Sequence, residues 1–210
     1  MKAAKTRIRK AQAGARTKRN GQLQPTIRTL AQARAFVRQV GICGIFSDAN
    51  RTMSCLWNVV DLPERRPGER GWGQKISAIW RWKNELPAHY PHEIFYGKTT
   101  SGLAVLMSIE YLRDDYYPKH HRPLSDCSPL ARQLYSLIKL DPIRTGALRK
   151  EMDMTDGTNR PKFDRALREL QATLNIVRRN SLLDENDTWV PFSEQYLDLI
   201  RRTPPAPPRS

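Results

Sequence analysis

Beyond a polar opening segment, apolar residues recur at helical spacing: Leu30, Ala33, Phe36, Val37 and Val40 form one stripe. Thr29 and Gln32 bracket its start as a capping box, and Gly41 supplies the stop. A short apolar piece covers residues 53–60, and the charged, Pro- and Gly-rich stretch 61–71 reads as a loop. Trp72, Ile76, Ile79, Trp80 and Lys83 then share one helical face. That spacing makes Trp72 and Trp80 core residues and leaves Trp82 as the ring turned outward. Pro87 is expected to end the helix. The period next shifts to that of strands, with β-forming runs at 93–97 and 103–108 flanking a polar turn at 98–102. Three helices, strand, turn and strand is the order of a winged helix.

The same order recurs downstream. A connecting helix over 109–115 and a loop over 116–126, containing Pro118 and Pro123, lead to Ser128 and Pro129. These two supply a cap and a first-turn proline for a helix with Leu130, Leu134, Leu137 and Ile138 inward, broken by Pro142. A short helix over 145–152 and a Gly157-containing turn over 154–160 follow. A third helix then starts at Pro161, with Phe163, Ala166, Leu167, Leu170 and Leu174 inward. Strands at 175–179 and 188–192 surround the polar loop 180–187, and Ser193 caps a last helix through Tyr196, Leu197 and Ile200. The expected fold class is therefore mainly α with short β-hairpins (α+β), as tandem winged helix-turn-helix units at 29–115 and 127–202. Tails at 1–28 and 203–210 are expected to be disordered.

Charge changes this picture most. The 210 residues carry a formal net charge of +15. Residues 1–28 hold nine bases (Lys2, Lys5, Arg7, Arg9, Lys10, Arg16, Lys18, Arg19, Arg28) and no acid, while the other 27 bases face all 21 acids. Such an arm is too polar to fold alone and gains affinity for a polyanion by releasing counterions. A solubilising tail and an Arg-rich organellar presequence are the alternatives for it. Apolar residues make up 39% of the chain, and no run reaches membrane-span length or forms a secretory signal. Cys43, Cys55 and Cys127 lie far apart, without zinc or disulfide spacing, which fits small buried hydrophobes in a reducing, cytoplasmic setting. No metal or cofactor motif is legible.

Candidate chemistry falls in three places. Arg160, Lys162, Arg165 and Arg168 lie opposite the apolar face of the helix from Pro161, where a recognition helix carries cations. Thr145, Arg149 and Lys150 precede it as backbone contacts, and Arg178 and Arg179 stand at its wing; Asp164 and Glu169 on the same helix fit an ordinary solvated face instead. Aromatics near Lys75, Arg81 and Lys83 suit base stacking, although core packing is the simpler reading of Trp72 and Trp80. Acid-base candidates are Glu85, Glu93, His89, His92, His120 and His121, with the last two expected as solvent-exposed loop residues.

Two segments resemble a known family. Gly41-Ile42-Cys43-Gly44-Ile45-Phe46, after the first helix, and Trp80-Arg81-Trp82-Lys83-Asn84-Glu85-Leu86-Pro87 are similar to the AlkZ/YcaQ family, tandem winged-helix bacterial DNA glycosylases that excise alkylated bases and unhook interstrand crosslinks. The match is closer to shorter proteins labelled as AlkZ-related. The resemblance implies tandem winged helices and double-stranded DNA as partner. The family's catalytic pair, Gln-x-Gln or Gln-x-Asp, falls at Gly44 and Phe46, which cannot activate water. Gln22-Leu23-Gln24 spells the motif but precedes the helix. The chain is also shorter than the family's enzymes, so a substrate-enclosing domain is expected to be missing. The leading expectation is a nucleoid-associated DNA-binding protein, non-catalytic or divergent. A glycosylase using Glu85 and an RNA- or ribosome-associated protein are the alternatives.

Overall fold

In the computed structural model of the protein, which describes residues 26–46, 53–182 and 188–202, Thr29 opens α1 (Leu30–Val40) with both halves of the capping box. The Gln32 N–H donates to Thr29 Oγ1 at 3.3 Å, and the Thr29 N–H donates to Gln32 Oε1 at 3.2 Å. Gly41 ends the helix at φ +76, where a Cβ would also meet the Tyr111 ring at 3.0 Å. Only glycine fits that turn without strain. The chain continues through β1 (Ile42–Gly44), α2 (Leu56–Val59), α3 (Gln74–His89), β2 (Ile94–Lys98) and β3 (Ala104–Ser108), giving an antiparallel sheet of order β1-β3-β2.

A linking helical stretch comprises α4 (Ile109–Tyr111), a π-turn (Leu112–Tyr116) and α5 (Tyr117–His120). Then come α6 (Pro129–Leu140), β4 (Ile143–Arg144), α7 (Thr145–Glu151), α8 (Arg160–Ala172), β5 (Ile176–Arg178) and β6 (Thr188–Pro191), whose sheet order is β4-β6-β5. Short helices α9 (Phe192–Gln195) and α10 (Leu197–Arg202) follow. Both halves thus run helix, strand, helix, helix, strand, strand, with the last strand in the middle of each sheet. The fold is mainly helical with small antiparallel sheets, as expected. The first strands, β1 and β4, were not legible, because two or three residues carry no period. No helix among the described residues is long and apolar enough to cross a membrane.

Among the described residues, three cores hold the chain together. Ala33, Phe36, Ile79, Trp82, Leu86 and Leu106 belong to the first, and Leu134, Leu148, Phe163, Leu170 and Trp189 to the third. The second lies between the sheets and is built from their outer faces. Phe95, Val105 and Met107 meet Val177, Val190 and Phe192 there, while the adjacent Ile94, Leu106, Ile176 and Trp189 point to the other cores. Each sheet is therefore buried on both faces, which explains the unbroken apolar run 104–107. Gly97 is part of this seam: a Cβ on it would stand 2.4 Å from the Phe95 ring.

Several sequence expectations are corrected. Pro87 lies inside the last turn of α3, which runs on to His89; burial of Leu86 and Pro87 outweighs the one backbone bond forgone. Trp82 is 2% exposed, whereas Trp72 and Trp80 are 59% and 43% exposed, the reverse of the expected arrangement. Residues 116–120 are helical, and Tyr116 and Tyr117 enter the seam core. The π-turn ends two residues before Pro118 and widens the backbone facing the proline that offers no N–H. Ile27 is 1% exposed and its N–H donates to the Val59 carbonyl at 2.9 Å, so the folded body begins before residue 29.

His120 and His121 are also not loop residues in solvent. His120 lies 4.2 Å from the Tyr116 ring, and His121 stacks on Tyr117 at 4.6 Å with its Nδ1 donating to the Thr173 carbonyl at 3.1 Å. Burial lowers His121 below its ordinary 6.5, against a smaller opposing effect of that carbonyl. The unfolded chain therefore binds this proton first as pH falls, and stability present at neutral pH is lost below about 6.5. Thermal melts at pH 7.5 and 5.5 should show a larger drop for the wild type than for His121→Asn; equal drops would remove His121 from the linkage.

Candidate nucleic-acid interface

The helix α8 starts where Asp156 gathers the preceding turn. Its Oδ1 accepts from the Thr158 and Asn159 N–H groups at 2.7 and 2.9 Å. These bonds, those from Asn159 foremost, hold the Asp156 carboxyl below the usual carboxylate range. Pro161 occupies the first turn, where its missing N–H costs nothing. Phe163, Ala166, Leu167 and Leu170 are buried at three- and four-residue spacing. Arg160, Lys162, Arg165 and Arg168 are left exposed. The first three lie on the N-terminal half, the positive end of the helix dipole.

The other expected contacts divide into free and committed groups. Lys150 at the end of α7 and Arg179 beyond β5 are exposed. Arg149 bridges Asp164 at 3.0 Å and lies 5.0 Å over the Phe163 ring, so it fastens α7 to α8. Thr145 Oγ1 accepts from Trp189 Nε1 at 2.8 Å, which ties the start of α7 to β6. Arg178, expected at an exposed wing, is 8% exposed: it donates to Asn84 of α3 and lies 6.0 Å from the Tyr96 ring. A three-residue strand that pairs on one side and faces the other half of the molecule has no solvent side for it. The arm residues Lys2, Lys5, Arg7, Arg9, Lys10, Arg16, Lys18 and Arg19 fall outside the described residues.

A cleft of about 290 Å³ opens where the C-terminal half of α8 faces β2. Lys98, Thr145, Arg168, Arg178, Tyr96 and Trp189 contribute to its lining, with Asp164 as its acid. Arg168 thus belongs to the cleft and reaches toward the β2–β3 turn, its Cδ 3.4 Å from where a Gly102 Cβ would stand. Sequence reasoning missed Lys98, whose only signal was its place at the end of a strand beside a polar turn.

The acid-base candidates are not gathered in this cleft. Glu85, with its side chain 25% exposed, pairs with Arg81 at 3.4 Å and is absent from the cleft lining. Glu93 is held by Arg34 and by Arg38, the latter at 3.3 Å. Gly44 is buried at the end of β1, and a Cβ there would stand 3.1 Å from the Phe46 carbonyl and 3.4 Å from Cys55 Cβ. A side chain at that position would start in tight contact with the Phe46 carbonyl. Cys43, Cys55 and Cys127 are buried and form no disulfide; burial pushes the Cys43 thiol up to about 12.

Around Phe46 the surface is aromatic. Phe46 lies 6.1 Å from Trp57 and 6.5 Å from Trp80, and Trp72 meets Trp80 edge-on at 5.4 Å. Lys75 Nζ stands 4.5 Å over Trp57, and Lys83 Nζ stands 4.0 Å over Trp80 and 5.2 Å over Tyr96. Tyr96 is also a wall of the cleft, so rings and cations run continuously from Trp72 to Arg178.

A family model described as AlkZ related matches residues 27–189. No curated protein and no solved structure matches the chain. The family match starts at the buried Ile27 and reaches Trp189 of β6, taking in both sheets and the seam between them, so the chain belongs to the AlkZ-related family.

Proposed function

We propose that this protein is a DNA-binding protein of two winged-helix units, at residues 29–115 and 127–202, and that its role is non-catalytic or divergent within its family. The observation that carries this reading is the exposed cationic N-terminal half of α8, the third helix of a unit whose element order and strand order suit a winged helix. Arg160, Lys162 and Arg165 meet duplex phosphates, with Lys150 and Arg179 beside them. The basic segment at 1–25 adds affinity without reading sequence. Family membership supports DNA as the ligand.

The triple variant Arg160→Ala, Lys162→Ala, Arg165→Ala tests the interface. Each lost phosphate contact lowers the salt slope of duplex binding by about one. The variant should therefore show a slope flatter by two to three with an unchanged melting temperature. Full affinity in the variant would remove α8 from the interface.

Membership in a glycosylase-related family favours one second reading, a lesion-processing enzyme with Glu85 as its acid-base group. The ion pair of Glu85 with Arg81 and the absence of a side chain at Gly44 weigh against it. Base release from alkylated duplex, compared between wild type and Glu85→Gln, decides the point. Release that disappears in the variant would replace the binding reading.

A further inference from the structure

We propose that the aromatic surface formed by Phe46, Trp72 and Trp80 is a stacking site for an unpaired nucleobase, so that the protein prefers DNA with an unpaired region to fully paired duplex. The proposal rests on the DNA-binding reading and adds the feature of the ligand that the first unit recognises.

Trp72 and Trp80 are the two largest exposed apolar side chains of the described residues, and Phe46 adjoins Trp80. Soluble surfaces rarely gather such rings without a partner. The partner's chemistry follows from the groups around them. Lys83 lies against the Trp80 ring, Lys75 lies over Trp57, and Arg81 projects from α3 with a side chain 66% exposed. Lys83 and Lys75 are already largely buried against the rings, Lys75 in an ion pair with Glu64, so the exposed charge beside the aromatic surface is Arg81. A nucleotide offers a π-face to the rings and a phosphate to that guanidinium. The net charge of +15 also favours a polyanion over a neutral chain.

Position in the fold points the same way. Each half of the molecule has one helix immediately before its hairpin, α3 in the first and α8 in the second. On α8 the exposed residues are cations; on the outer face of α3 they are Gln74, Ser77, Trp80 and Arg81, beside Trp72 just before its start. A paired duplex hides its base faces, so such rings find a stacking partner only where a base is unpaired or extruded.

Binding of the full chain is measured by fluorescence anisotropy at one salt concentration. The ligands are a matched duplex, the same duplex with a central unpaired loop, and a single strand. The wild type should bind the looped duplex about tenfold or more tighter than the matched one. Trp72→Ala with Trp80→Ala should abolish that preference and leave matched-duplex affinity within about twofold, while Trp72→Phe with Trp80→Phe should retain most of it. Quenching of tryptophan fluorescence by the single strand should fall in the alanine pair to what the half-buried Trp57 contributes, since Trp82 and Trp189 are buried. A wild type that binds matched and looped duplex equally, or an alanine pair that keeps the preference, overturns the proposal. A wild type that binds none of the three ligands overturns the DNA reading itself.

Discussion

A chain lacking residues 1–25 should bind duplex DNA with a salt slope flatter by several units, up to about seven if every cation there meets a phosphate. Eight of the 36 lysines and arginines and none of the 21 acids lie in that segment, so its removal lowers the net charge from +15 to +7. At about 0.15 M salt the loss of affinity should be on the order of 100-fold or more. The cut belongs before Thr26, because Ile27 is core and Arg28 pairs with Asp61 at 2.6 Å. Removing residues 1–28 would mix a folding defect into the binding measurement. An unchanged slope in the shortened chain would show that the arm meets no phosphate.

Phe192→Ala should lower stability by about 3–5 kcal/mol and the melting temperature by roughly 10 °C. Its ring is 5.3 Å from Tyr117, 6.1 Å from Phe95 and 5.1 Å from Tyr196, so truncation opens a cavity at the centre of the seam. Because the seam core draws on both sheets, the two halves should melt in a single transition that shifts as a whole. A two-step melt in which Trp82 fluorescence keeps its original midpoint would show that the halves unfold separately.

Elements whose signals are local were readable in the sequence. The capping box at Thr29, the stop at Gly41, both hairpin strand pairs and the apolar stripe of α8 each depend on residues within about one turn of each other. The rotation of α3 was not readable in the same way. Trp80 and Trp82 lie on opposite sides of a helix, and each side offers a plausible stripe sharing Ile79. Leu86, seven residues from Ile79, marks the true core line; adding it favours Trp82 and frees Trp80 for the surface.

The seam was likewise out of reach of local pattern. Arg178 and His121 meet Asn84 and Thr173, 94 and 52 positions away, and Tyr116 is buried in the core that both sheets share. A strand residue with alternating neighbours reads as outward unless something is known of the second surface against it. The run 104–107 was the one local hint, since a sheet with a wet face would alternate. For the candidate interface, the cations of α8 were legible from periodicity, but the commitments of Arg149 and Thr145 depend on tertiary partners.

The back-to-back sheets also bear on the mechanics of any complex. Since β2 and β5 share one buried layer and Arg178 reaches α3, the helices α3 and α8 are held at a set separation and angle. Any distortion that a nucleic acid needs in order to engage both is then borne by the nucleic acid rather than shared with the protein. Flexible sequences and already weakened base pairs pay least, so target choice can arise from DNA stiffness at positions the protein never touches.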